Sequence, residues 1–308
     1  MRAAAPVKVD RIDYHGWPDS YRITNGTVEL VVVASVGPRI MRYGFVGGRN
    51  LFLELEPELG QSGEAAWRAR GGHRLWIAPE FLPDTYALDN SPCGAVVTRG
   101  GAVTVTGPME GETGVRKEMT VRLAPVGTGV EVLHRVANES GRTRRLAPWA
   151  LTQLAQGGTG ISGFPERRSH SERLLPTNPL SMWGFTDFSD PRWTLARKYV
   201  VLRQDPAVAA AQKTGLFNEE TFGAYLLGRD LFLKRTKADA SKTYPDFGCS
   251  FEMYADADVL ELETLGPLVN LRPGGSLKHT EQWTLHKDVE IPAWNDDELD
   301  RALLPLLS

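Results

Sequence analysis

The sequence predicts an all-β protein, a large antiparallel β-sandwich with a short C-terminal helix. Three observations lead there. From residue 20 to residue 286, short β-prone runs alternate apolar and polar positions with period two, as half-buried strands do. The chain carries 31 Gly and 20 Pro, enough to turn it repeatedly between such runs. No Pro/Ser-rich linker breaks the succession, so about fifteen strands are expected within one domain spanning residues 1–308, its core about 20–286.

The elements follow in order. YRITNGTVELVVVAS breaks at Asn25-Gly26, a strong hairpin signal. PRIMRYGFVGGRNLFLEL gives two β runs across Gly47-Gly48, and GAVVTRGGAVTVTG a hairpin pivoting on Gly100-Gly101. VRKEMTVRLAP and TGVEVLHRVANES both alternate, and His134 in the second shares a face with Val130, Val132 and Val136, as a satisfied core residue would. FGAYLLGRDLFLKRT, CSFEMYADADVLELETL and SLKHTEQWTLHKD complete the β-rich segments. Residues 56–70 read as a loop with one helical turn, and residues 164–192 as a long irregular excursion, which in a compact domain is functional or mobile. Asn295 caps a helix whose acidic start suits the dipole and whose end is expected near Pro305.

The bulk numbers exclude several classes. A composition of 42% apolar and 24% charged residues is that of a soluble globular protein. A net charge of −3 gives no reason to expect nucleic acid as a partner. VELVVVASV is too short to span a bilayer, and the N-terminal segment lacks the apolar run of a signal peptide, so a cytoplasmic location and no membrane partner are expected. Cys93 and Cys249 form neither a disulfide scaffold nor a metal-type pair. The six His are scattered without ligand spacing, so no metal and no cofactor are expected.

Candidate chemistry gathers late in the chain. In LELETL, Glu261 and Glu263 point away from Leu260, Leu262 and Thr264. They belong either to a solvated face or to a sugar-binding cleft with one Glu as general base. In the next strand His279 and Glu281 share a face with Leu277, Trp283 and Leu285, where an isolated charge is costly. They read either as a satisfied structural pair or as a cleft acid/base pair. GGHRLWIAPE sets His73 and Arg74 after a double Gly at a strand start, and the Arg fork can bind hydroxyls or pair with a carboxylate. Tyr244 and Asp246 occupy a Pro-Asp turn just before the Glu-bearing strands. Trp149 is the largest residue of the apolar LAPWALTQLAQGG.

Three pieces of the chain, in order, resemble the galactose-mutarotase-like superfamily of aldose 1-epimerases and their relatives: ASVGPRIMRYGFVGGRNLF, GGHRLW and LETLGPLVNLRPGGSLKHTEQWTL. The likeness looks closest to a bacterial branch. It implies a supersandwich fold and a carbohydrate partner, with Arg74 at the position of a hydroxyl-binding Arg and Glu263 at that of the catalytic base. The family's general-acid His has no counterpart, since the corresponding segment, LAPWALTQLA, carries Trp149 instead. The acid would then come from His73, His279, Tyr244 or Lys213, with His279 taken as the catalytic partner of Glu263. His73, Arg74, Trp76, Trp149, Lys213, Tyr244, Asp246 and Glu281 are expected to bind the sugar. Two functions follow: epimerase-type isomerisation of a sugar, or sugar binding without chemistry.

Overall fold

The structure is a computed structural model that describes residues 7–308. The chain opens with a meander of five strands, β1 (Lys8–Tyr14), β2 (Trp17–Thr24), β3 (Val28–Val33), β4 (Arg39–Phe45) and β5 (Gly72–Ala78). It then crosses to a second sheet and lays down β6 (Gly94–Val97), β7 (Val103–Met109), β8 (Val115–Leu123) and β9 (Val130–Asn138). The long β10 (Arg144–Leu154) returns to the first sheet beside β5, and β11 (Thr159–Gly163) leaves it again. Thereafter the chain alternates: β12 (Leu180–Met182), β15 (Gln212–Leu216), β18 (Phe251–Ala255), β19 (Leu260–Leu265) and β20 (Val269–Leu271) join the first sheet. β13 (Trp193–Leu195), β14 (Tyr199–Arg203), β16 (Glu220–Leu227), β17 (Asp230–Lys237) and β21 (Ser276–His286) join the second. Among the described residues, eleven strands thus form one sheet and ten the other, with every pairing antiparallel.

A core drawn from both sheets fills the space between them, including Leu30, Tyr43, Phe52, Leu75, Leu262, Phe232 and Trp283. Its aromatic rings meet edge to face, as ring quadrupoles prefer; Phe52 and Phe232 are 5.4 Å apart. Smaller apolar clusters cover the outer faces. On the second sheet, helix α1 (Asp296–Leu307) buries Leu299 and Leu303 against Tyr199, Phe222 and Leu233. Among the described residues, no helix is long and apolar enough to cross a membrane.

Most sequence expectations of local structure hold. Asn25 turns β2 into β3, its Oδ1 accepting from the amides of Thr27 and Val28, with Gly26 at φ +86°. One expectation does not hold and two differ in detail. The run after Gly47-Gly48 makes only isolated bridges, because the Asn50 side chain takes the β4 hydrogen bonds: it accepts from Tyr43 N and donates to Met41 O. The helix runs through Pro305 to Leu307; so near the end, a missing N–H forfeits one bond, and Ser308 N closes the last turn on Leu304 O. The 164–192 excursion is partly tied down, since β12 pairs with β15 in its second half.

Candidate functional site

The residues of β5, β10, β19, β18 and β15 that turn away from the second sheet line up in cross-strand rows. One row runs Gln153, Glu261, Tyr254, Lys213; the next, Arg74, Leu151, Glu263, Glu252, Gly215; the third, Trp76, Trp149, Leu265. Paired residues share a face about 5 Å apart, and successive rows lie about 7 Å apart along the strands. Gly215 supplies the space Glu252 occupies, since a Cβ there would stand 3.1 Å from Glu252 Cγ. Above this floor lies a cleft of about 490 Å³, walled by Trp67, Tyr86, Trp183 and Phe185, and bearing Glu80, Asp256, Asp258 and Glu261 as its acids. Trp183 and Phe185 come from the excursion over residues 164–192, so part of that segment is a wall of the cleft.

Within this floor lies a compact charge cluster. Lys213 Nζ stands 2.8 Å from Glu252 Oε2 and 3.0 Å from Glu263 Oε2, between the rings of Trp149 and Trp183 at 4.8 and 4.7 Å. Trp149 Nε1 also donates to Glu263 Oε2, at 2.7 Å. Burial draws the Lys213 ammonium down, but Glu252 and Glu263 more than reverse this and hold it above the ordinary lysine range. Burial pushes Glu252 well above the usual carboxylate range, against the pull of Lys213. Glu261 is pushed up to about 7, first by burial and then by the neighbouring charge of Glu263. Its Oε1 accepts from Gln153 Nε2 at 2.7 Å. Arg74 lies under the rings of Trp67 and Trp76 and pairs with Asp89 at 2.9 Å.

Several buried polar atoms here have no partner. They are Glu263 Oε1, Glu252 Oε1, Gln153 Oε1, Arg74 Nε and Nη1, and Trp67 Nε1. Unpaired buried polar atoms are costly in a folded protein. Of these residues Gln153 and Trp67 line the cleft, Glu263, Glu252 and Arg74 lie beneath its lining, and Arg39, Arg70, Asp89 and Arg192 also carry such atoms.

The sequence candidates divide between two places. Arg74, Trp76, Trp149, Lys213 and Glu263 share the cleft face. His73, His279 and Glu281 do not, because they point into the space between the sheets. There Lys234 Nζ lies 2.7 Å from Glu281 Oε1 and donates to the carbonyls of Ala150 and Leu262. His73 Nε2 meets His134 Nε2 at 2.7 Å, and Thr264 Oγ1 meets His279 Nε2 at 2.7 Å. Trp283 Nε1 donates to Glu281 Oε2 at 2.8 Å. Burial lowers all three histidines, His279 to about 3, while Lys234 and the histidines outweigh burial at Glu281 and hold it below the usual range. Tyr244 packs on Phe217, and its hydroxyl accepts from Asp239 N, so it faces away from the cleft. Asp246 sits at φ +50° in the turn before β18, close enough to Glu252 to add to its rise but not lining the cleft.

His73, His134 and Glu281 also converge closely enough to hold a metal ion. The observed contacts do not fit one: the two imidazoles hydrogen-bond each other, and the Lys234 ammonium already neutralises the carboxylate. Sequence reasoning missed Glu252, Gln153, Trp67, Tyr86, Trp183 and Tyr254. The alternation in FEMYA puts Glu252 and Tyr254 on one face and was the available signal. Trp67 and Trp183 lie outside strands and carried none.

No protein-family model matches the chain, and no curated protein does. Solved structures do. A galactose mutarotase-like protein from Lactobacillus casei aligns over 87% of this chain and all of its own, at TM-score 0.58 and 11% identity. A galactose mutarotase related enzyme from Lactobacillus acidophilus aligns over 87% and 98%, at 0.55 and 9%. A candidate aldose 1-epimerase from Klebsiella pneumoniae aligns over 92% and 83%, at 0.53 and 11%. The chain therefore has the galactose-mutarotase-like fold, and at such identities the likeness is one of fold.

Proposed function

We propose, with the galactose-mutarotase-like fold as premise, that the cleft binds a neutral sugar and catalyses epimerase-type isomerisation at its anomeric carbon. The carrying observation is the cluster of unpaired buried donors and acceptors beneath an aromatic-walled cleft of about 490 Å³. Trp76, Trp149 and Tyr254 line the cleft for the apolar face of a pyranose, and Gln153 Oε1 and Trp67 Nε1, unpaired on lining residues, supply an acceptor and a donor for hydroxyls. The names of the structural neighbours point the same way. A phosphorylated or acidic sugar is a poor match: four lining carboxylates stand against Lys213, which is itself paired, and Arg74 is paired with Asp89.

Opening a pyranose ring needs a base for the anomeric hydroxyl proton and an acid for the ring oxygen. The sequence resemblance gives the base role to Glu263. In the structure its carboxylate is fully buried under Lys213 and Trp149, whereas Glu261 on the same strand lines the cleft. Among the described residues, no histidine lines the cleft. That observation favours a second reading, sugar binding without chemistry.

Anomer exchange measured by NMR saturation transfer, across neutral aldoses, uronic acids and hexose phosphates, separates the two. Faster exchange for a neutral aldose is the expected outcome. Line broadening without exchange would leave the binding reading, and neither effect with any sugar would remove both.

A further inference from the structure

We propose that Glu261 is the catalytic carboxyl group of this cleft, serving as both acid and base at the anomeric centre, and that Glu263 is a positioning residue beneath it. The inference rests on the functional reading above and assigns the groups that carry it out.

The geometry separates two glutamates that the sequence cannot tell apart. Both point from β19 toward the cleft face, about 7 Å apart along the strand. Glu263 has no exposed surface, and one of its oxygens is engaged by both Trp149 and Lys213. Glu261 is only half-buried and lines the cleft. Gln153 Nε2 fixes Glu261 Oε1 at 2.7 Å and leaves Oε2 without a protein partner. Gln153 is itself 5% exposed, and its own Oε1 has no partner, a second acceptor beside Glu261 for a sugar hydroxyl. Of the remaining cleft acids, Glu80 accepts from the Tyr86 hydroxyl, Asp256 accepts from the Tyr254 hydroxyl, and Asp258 lies in the bend between β18 and β19.

A single carboxyl group can perform the whole proton exchange, because the ring oxygen and the anomeric hydroxyl oxygen are bonded to the same carbon and stand about as far apart as the two oxygens of a carboxyl. The Glu261 O–H proton passes to the ring oxygen as the C1–O5 bond breaks and its electron pair moves to O5. The anomeric O–H proton passes to the other Glu261 oxygen, and that O–H pair becomes the C1=O bond. The products are the open-chain aldehyde with a free 5-hydroxyl and a carboxyl protonated on its opposite oxygen. Rotation about C1–C2 and the reverse steps give the other anomer, with no co-reactant. The groups that set the Glu261 proton affinity are burial and the Glu263 charge, which raise it, and Gln153, Lys213 and Arg74, which lower it. A value of about 7 keeps a large fraction protonated at neutral pH, where matched acid–base catalysis is most effective.

The test is the pH dependence of anomer exchange in wild type, Glu261→Gln and Glu263→Gln, with the most responsive neutral aldose. Wild-type activity is expected to fall as pH rises through about 7. Glu261→Gln should lose about 10²–10⁴-fold, the usual worth of a general acid–base group. Glu263→Gln removes the charge that raises Glu261, so its activity should begin to fall at lower pH than in wild type. A Glu261→Gln variant within threefold of an active wild type would overturn the assignment and leave the functional reading standing. If that variant fails to fold, the Glu263→Gln profile decides: a fall at the wild-type pH overturns the assignment, and an acid-shifted fall supports it. A wild type that accelerates no sugar overturns the functional reading and this assignment with it.

Discussion

Two polar clusters lie back to back across β5, β10 and β19. Between the sheets, His73, His134, His279, Glu281, Lys234, Thr152 and Thr264 form a network, and none of their buried polar atoms lacks a partner. On the other face, Glu252, Glu263, Lys213, Arg74 and Gln153 are almost as deeply buried and Trp67 partly so, yet all but Lys213 leave an atom unpaired. Both clusters bury ionisable groups, so burial of charge does not by itself separate structure from function here. Completeness does: the interior network closes on itself, and the cleft cluster leaves donors and acceptors unpaired, two of them on the lining residues Gln153 and Trp67. Burying charge is tolerable only with partners, so the first arrangement supports the fold, and under the proposed function a ligand completes the second.

The comparison is broken most forcefully from the interior side. Lys234→Met strands the Glu281 carboxylate in the core, and losing one partner of a buried pair costs about 3–5 kcal/mol. A urea midpoint close to that of wild type would mean that the interior network is dispensable. A smaller effect is expected in the cleft. Gln153→Leu removes the Glu261 anchor and an unpaired acceptor together, so anomer exchange should drop about tenfold, near the net worth of one charge-assisted hydrogen bond. Stability should hold or rise, because a buried atom without a partner has gone; a large loss in thermal midpoint would instead make Gln153 structural.

The most delicate contrast is with pH, because the two clusters act with opposite sign. His279 is held down to about 3 from 6.5, so between these values the unfolded chain takes a proton that the fold refuses. Stability from the interior is therefore present above pH 6.5 and is lost as pH falls toward 3. Glu261 is raised from 4.5 to about 7, so in that window the fold keeps a proton that the unfolded chain has released. Its contribution is full below pH 4.5 and is lost as pH rises through about 7. The two slopes oppose each other between 4.5 and 6.5. In Glu261→Gln the urea midpoint should therefore climb more steeply with pH over that range than in wild type. Parallel curves would mean that the cleft carboxyl is not coupled to folding.

Much of this was legible in the sequence. The period-two pattern of LELETL put Glu261 and Glu263 together opposite Leu260, Leu262 and Thr264, and the strand has that arrangement. Arg74, Trp76, Trp149, Lys213 and Glu263 come from four separate strands and do share a face. Which side of a strand meets the second sheet was harder to read, because here both sides carry ionisable groups. His73 and Arg74 were both expected at the sugar, yet consecutive strand residues must point to opposite faces. His279 and Glu281 share the Trp283 face, which was apolar because it is core, and their partner Lys234 is remote in sequence. The cleft walls were invisible for a different reason. Trp67 and Trp183 sit in irregular segments, where no periodicity indicates direction.

The central claim, that the interior cluster is built for the fold and the cleft cluster for a guest, is tested most directly by paired urea unfolding of Glu281→Gln and Glu263→Gln. Each substitution removes one fully buried carboxylate that a lysine neutralises, 2.7 Å from Lys234 in one case and 3.0 Å from Lys213 in the other. The account predicts a loss of about 3–5 kcal/mol for Glu281→Gln and less than about a third of that for Glu263→Gln, where Glu252 still pairs with Lys213. Equal losses in the two variants would contradict it.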